Sequence, residues 1–203
     1  MKLRNNLLLL AMAGLPLLSS QAAEPTFNCA KVPAGSIEAL ICQTPSLGEL
    51  DQRLAKVYQQ ASAKAVNEHP PLLKAEQRGW IKGRDDCWKA EDKPLCVSDS
   101  YRQRIAELQA RYALLPATGP VFYSCDGIAA KEVVATFYPT DPASVVVEFG
   151  DSTSLMLQQV AASGSRYQGR NESFWEHQGK AVVVWGYQAP EMQCEPRAER
   201  NKQ

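Results

Sequence analysis

Apolar residues follow three different patterns along the chain, and each predicts a different kind of structure. In the first, Lys2 and Arg4 precede a nearly continuous apolar run over residues 7–18, which gives way to Ser19, Ser20, Gln21, Ala22 and Ala23. The run is shorter than the roughly 20 residues needed to span a bilayer, and it ends in small residues suited to a signal peptidase. Residues 1–23 therefore read as a secretory signal peptide cut after Ala22 or Ala23. No cysteine directly follows that site, the first being Cys29. The expected mature protein is periplasmic and soluble, with no membrane anchor after cleavage.

The second pattern is helical. Leu47, Leu50, Leu54, Val57, Tyr58 and Ala61 fall at three- and four-residue steps behind Ser46, an expected N-cap with Glu49 three residues on. A shorter helix over residues 36–42 should precede it and end at Thr44-Pro45. Pro70-Pro71 should open a third helix running through Trp80 to about Trp88. A fourth is expected over residues 98–112, with Tyr101, Ile105, Leu108 and Tyr112 on one stripe.

Beyond Pro120 the pattern changes to alternation. Val133, Ala135 and Phe137 alternate with Val134 and Thr136, and Val145-Val146-Val147 follows; Leu155 and Leu157 are then flanked by Met156 and Gln158. Residues 180–187 form the clearest late strand. Asp141-Pro142, Gly150-Asp151, Gly164, Gly169 and Gly186 supply turns at intervals that suit an antiparallel meander or small barrel. The fold class expected is α+β in two domains, a small disulfide-bonded helical domain followed by a small antiparallel β-barrel. The boundaries are 24–115 for the first domain, a Pro- and Gly-containing linker at 116–120, and 121–203 for the second.

Composition and charge refine this picture only slightly. Lys and Arg together number 22, as do Asp and Glu, but after Pro116 seven basic residues face ten acidic ones. That balance argues against nucleic acid and suits a basic protein partner. The six cysteines, Cys29, Cys42, Cys87, Cys96, Cys125 and Cys194, all lie beyond the signal peptide. An even count in an oxidising compartment implies three bridges. Cys125 and Cys194 stand alone in the second half and should join its first and last strands. Cys87 with Cys96 would clamp the turn containing Lys93-Pro94, and Cys29 with Cys42 would close the amino-terminal loop onto its short helix.

Catalytic chemistry finds little footing. With His69 and His177 as the two histidines, no nucleophile, base and orienting group can be assembled, and no two cysteines have C-x-x-C spacing. No enzyme activity, metal or cofactor is expected. Asp51, Glu76, Arg78, Arg84 and Asp85 form either a buried ion-pair network or a binding patch.

The order Phe27-Asn28-Cys29-Ala30-Lys31, Glu38-Ala39-Leu40-Ile41-Cys42, Leu50-Asp51, Leu54, Tyr58, Glu76-Gln77-Arg78-Gly79-Trp80, Arg84-Asp85-Asp86-Cys87 and Tyr101 with Arg104-Ile105-Ala106-Glu107-Leu108 resembles the LprI-type amino-terminal domain of bacterial envelope proteins. That resemblance spans residues 27–112. A second one carries more function. Tyr123-Ser124-Cys125, Leu155, Leu157, Ala162-Ser163-Gly164-Ser165-Arg166-Tyr167, Phe174-Trp175, Ala181 and Cys194 are similar to the membrane-bound and periplasmic inhibitors of c-type lysozyme.

The second resemblance implies a small one-disulfide barrel that pushes a serine loop and a lysine loop into the lysozyme cleft. Ser163 falls at the family's serine. Gly164 would let the backbone approach closely, Ser165 completes the turn, and Tyr167 would lie at the rim or beneath the loop. The family's lysine falls on His177 and its following glycine on Gln178, with Gly179-Lys180 slightly later; tyrosine is usual where Glu172 stands. Three outcomes are open: His177 replaces the cation, a shifted loop brings Lys180 to the same place, or the cation is lost. The expected function is inhibition of c-type lysozyme by plugging its cleft. The alternative is a non-enzymatic envelope-binding module that recognises peptidoglycan fragments or another periplasmic protein.

Overall fold

The computed structural model describes residues 24–69 and 71–197. The expected signal peptide lies outside the described residues. Four α-helices come first: α1 (Ile37–Gln43), α2 (Pro45–Lys64), α3 (Leu72–Asp85) and α4 (Lys93–Arg111). Ser36 caps α1 by accepting the Ala39 N–H at 3.1 Å. The apolar stripes of all four helices meet in one core that includes Ile41, Leu47, Leu54, Val57, Leu73, Val97, Tyr101, Ile105 and Leu108.

Two helix starts differ from the sequence expectation. α2 begins at Pro45, with Thr44 in the N-cap position and no side-chain cap, so the capping box at Ser46 does not form. Proline lacks an N–H and has its φ set for the first helical position, so the helix enters there and draws Ser46 into its first turn. α4 starts at Lys93 rather than Ser98, because Asp92 accepts the Leu95 N–H at 2.9 Å and Pro94 again occupies the first turn. Lys93-Pro94 is therefore helical, and Cys96 reaches back to Cys87 from within α4. Cys29 joins Cys42, and Cys125 joins Cys194.

Of the five polar residues singled out in this half, three share one buried network. Tyr101 donates to Asp51 at 2.9 Å and accepts from Arg84 at 3.0 Å, and Arg84 bonds Asp85 at 2.7 Å. Asp51 also accepts from the Thr26 N–H and hydroxyl, at 2.7 and 2.6 Å, which ties the segment before the first disulfide onto α2. A buried charge survives only when it is paired or fully hydrogen-bonded: Arg84 pairs with Asp85, and Asp51 accepts three hydrogen bonds. Glu76 pairs instead with Arg111 on the surface, and Arg78 is exposed.

Eight antiparallel strands follow: β1 (Thr118–Cys125), β2 (Ile128–Tyr138), β3 (Ser144–Phe149), β4 (Ser152–Gln159), β5 (Ser165–Gln168), β6 (Glu172–His177), β7 (Lys180–Trp185) and β8 (Glu191–Pro196). Each pairs with the next, and β1 pairs with β8 to close the barrel. Inward positions alternate as the pleat requires, placing Tyr123, Val133, Ala135, Val145, Val147, Met156, Tyr167, Phe174, Val183 and Met192 in the interior. Phe137 and Trp185 pack against this core half-buried.

Strand β4 is apolar at three successive positions, 155 to 157. Met156 points inward, whereas Leu155 and Leu157 lie outside and line a cleft with Trp80, Cys87 and Cys96 of the helical part. A strand apolar on both faces is one that is covered on both, and here α4 packs beside β3 and β4. Arg102 of α4 also pairs with Asp141 of the β2–β3 connection at 2.7 Å. In a meander the β2–β3, β4–β5 and β6–β7 connections share one end of the barrel, so the Arg102–Asp141 pair lies at the end that carries the site described below, while the cleft reaches Gly169 and Arg170 at the other.

The interior also makes an alkaline prediction. Tyr123 is 4% exposed, and burial, with a smaller contribution from the Glu176 carboxylate, pushes its hydroxyl up to about 12. A phenol held neutral in the folded state adds stability that is fully present below its unfolded value near 10 and is lost as pH rises towards 12. That loss should be about 2 to 3 kcal/mol, at 1.36 kcal/mol per unit. Urea unfolding at pH 8 and 11.5 should show a smaller loss in Tyr123→Phe; equal losses in both proteins would refute the assignment.

Candidate functional site

Two neighbouring connections build the site. Residues 160–164 join β4 to β5, and Val160, the first of them, is 102% exposed. Ser163 is exposed beside Gly164, whose φ is +68°. A Cβ built on Gly164 would lie 2.3 Å from the Glu176 carbonyl oxygen and 3.1 Å from the His177 Cβ. Only glycine combines that backbone conformation with so close an approach, so the loop rests directly on β6. The Trp175 Nε1–H then donates to the Ser163 carbonyl at 3.0 Å.

The second connection is the β6–β7 hairpin. His177 and Lys180 face each other across a two-residue turn in which Gln178 and Gly179 both have positive φ, +51° and +76°. That is the turn whose twist matches a β-hairpin. The His177 ring stacks on Trp175, with centroids 5.9 Å apart and planes inclined by 25°. The Lys180 ammonium is engaged elsewhere, 2.6 Å from Glu195 on β8, and holds that carboxylate below its ordinary range.

The structure thus brings Ser163, Gly164 and His177 together and leaves Lys180 one strand away in an ion pair. Ser165 opens β5 opposite Glu176. Tyr167 is buried at 7% exposure, its ring 5.9 Å from Phe137 and 6.4 Å from Phe174, so it supports the loop from inside. Burial raises the Tyr167 hydroxyl, opposed by a hydrogen bond from Ser165. Sequence reasoning used Trp175 only as a marker of resemblance. Its signal was the Phe174-Trp175 pair itself, because adjacent strand residues face opposite ways and a buried Phe174 turns Trp175 outward. Among the described residues no cluster of His, Cys, Asp and Glu could hold a metal ion, and no helix is long and apolar enough to cross a membrane.

Comparison with known proteins agrees with this architecture. Residues 123–192 match the family model described as membrane-bound lysozyme-inhibitor of c-type lysozyme, and residues 29–108 match that described as lysozyme inhibitor LprI. Both matched families are described as lysozyme inhibitors, and their succession along the chain supports a lysozyme-inhibitor role. Lipoprotein LprI of Mycobacterium bovis and that of Mycobacterium tuberculosis are each 33% identical over 167 residues, which cover 80% of this chain and 80% of theirs. The chain belongs to the LprI family. No solved structure matches it.

Proposed function

We propose that the protein inhibits a c-type lysozyme in the periplasm by lodging residues 160–164 and the tip of the β6–β7 hairpin in the active-site cleft. The observation that carries this reading is the direct contact of the two connections, with Gly164 against His177 and the Ser163 carbonyl tied to Trp175. Lysozyme works with two carboxyl groups, one protonated as general acid and one ionised. The Ser163 hydroxyl can bond one of them, and the His177 imidazole the other. A water-excluded cleft strengthens both contacts. Residues 121–203 act as the inhibitory domain in this proposal, with residues 24–115 as a separate helical domain beside it and 116–120 as the link. Export through residues 1–23 brings both to the envelope.

The identity of the second anchor is open to a direct test. Lys180 can leave Glu195 only by giving up its ion pair, whereas His177 already adjoins the serine loop. His177→Lys, which places a permanent cation at this anchor, should lower the inhibition constant about 3- to 10-fold, the scale of a charge-assisted hydrogen bond. Lys180→Ala should change it less than about 2-fold, as expected of an exposed pair. A large loss in Lys180→Ala with none in His177→Ala would move the anchor to Lys180. If the mature protein leaves every c-type lysozyme tested fully active, the inhibitor reading fails.

A further inference from the structure

We infer that Trp175 is the positioning residue that locks the serine loop and the His177 hairpin into one rigid unit, an inference that rests on the inhibitor reading of these loops. Three contacts converge on this side chain or its immediate backbone. The indole N–H, its one polar group, is spent on the Ser163 carbonyl 12 residues away in the chain. The ring face stacks on His177. The next backbone carbonyl, that of Glu176, is the atom against which Gly164 packs. One residue of β6 therefore touches both connections at once.

Packing for its own sake does not account for Trp175. Phe174 fills the barrel interior with no exposure, while Trp175 on the opposite face of the strand is 38% exposed, flanked across the sheet by Arg166 and Val182. A tryptophan in that position exposes apolar surface that a polar residue would not. What it supplies is a donor that reaches the Ser163 carbonyl, carried on a flat ring stacked with the imidazole. Fixing a binding loop before association removes part of the ordering cost of binding, which appears as a slower dissociation.

The test uses the full mature chain and substitutions at Trp175 alone and combined with Ser163→Ala. Trp175→Phe keeps a ring for His177 but loses the donor, and should raise the inhibition constant for a c-type lysozyme about 3- to 10-fold, the worth of one hydrogen bond. Trp175→Leu loses both contacts and should cost more, about 10- to 50-fold, with the melting temperature of either variant within about 3 °C of wild type. In the Ser163→Ala background Trp175→Phe should cost less than about 2-fold, because its effect is transmitted through the position of that serine. A merely structural role predicts equal costs in both backgrounds, and that result, or a Trp175→Leu variant that inhibits like wild type, overturns the inference. If wild type itself does not inhibit, the inhibitor reading falls, and backbone ¹⁵N relaxation of residues 160–165 still decides the strut: greater mobility in Trp175→Phe supports it, and unchanged mobility refutes it.

Discussion

Replacing Gly164 by alanine should weaken lysozyme inhibition about 100-fold while leaving the barrel folded. The added Cβ would meet the Glu176 carbonyl oxygen at 2.3 Å, and that oxygen belongs to the backbone of β6, which is held on both sides by β5 and β7. The loop must therefore move, since the strand cannot. A non-glycine residue at φ +68° adds strain on the order of 1 to 2 kcal/mol. Moving the loop separates Ser163 from the Trp175 indole and from His177, so the two contacts can no longer be made together. Loss of about 2.7 kcal/mol of binding, which lies in the range of a single interface hot spot, corresponds to the 100-fold change. The barrel core lies on the other side of β6, with Phe174, so the thermal midpoint should fall by only a few degrees. Inhibition constants and melting curves for wild type and Gly164→Ala test this together. An unchanged constant would remove the serine loop from the interface.

Opening the Cys125–Cys194 bridge should cost about 4 kcal/mol of barrel stability. The bridge spans 69 residues, and the entropy of closing so long a loop in the unfolded chain sets that figure. Its placement adds to the effect. The seam between β1 and β8 that closes the barrel has three residue pairs, from Tyr123 opposite Pro196 to Cys125 opposite Cys194, whereas β2 and β3 share six. The covalent link thus holds a short seam. A double Cys125→Ala, Cys194→Ala variant, which leaves no free thiol, should show the loss as a lower urea midpoint. The bridges Cys29–Cys42 and Cys87–Cys96 close loops of 13 and 9 residues and should matter less to the barrel. A loss below about 1 kcal/mol in the double variant would mean that strand pairing alone closes the barrel.

The fold was legible wherever a local rule had no competitor. The stripe of Tyr101, Ile105 and Leu108 is buried as its spacing requires, and Val133, Ala135, Val145 and Val147 fill the barrel as their alternation requires. Local rules misled where two of them met at one place. Ser46 with Glu49 reads as a capping box, but Pro45 is the better first helical residue and takes the start of α2. Asp92 and Pro94 do the same for α4, so the helix begins well before Ser98. The site was legible to the extent that Ser163, Gly164 and His177 stand at motif spacing, and Trp175 was visible only as one half of an aromatic pair.

Periodicity and turn residues are properties of neighbouring residues, and they determined by themselves a helical part followed by an antiparallel meander or small barrel. Tertiary structure alone decided which apolar face of β4 turns inward, because Met156 and Leu155 differ only in whether the barrel or α4 covers them. It also gave Lys180 and His177, which face each other across the hairpin, different partners. The two are three residues apart and equally placed to supply an anchor by sequence, but β8 brings Glu195 beside Lys180, while the β4–β5 connection comes down on His177. Partners that lie 15 and 13 residues away in the chain decided their roles, because the energy of an ion pair or a close packing contact depends on distance in space, and only the closed barrel sets that distance.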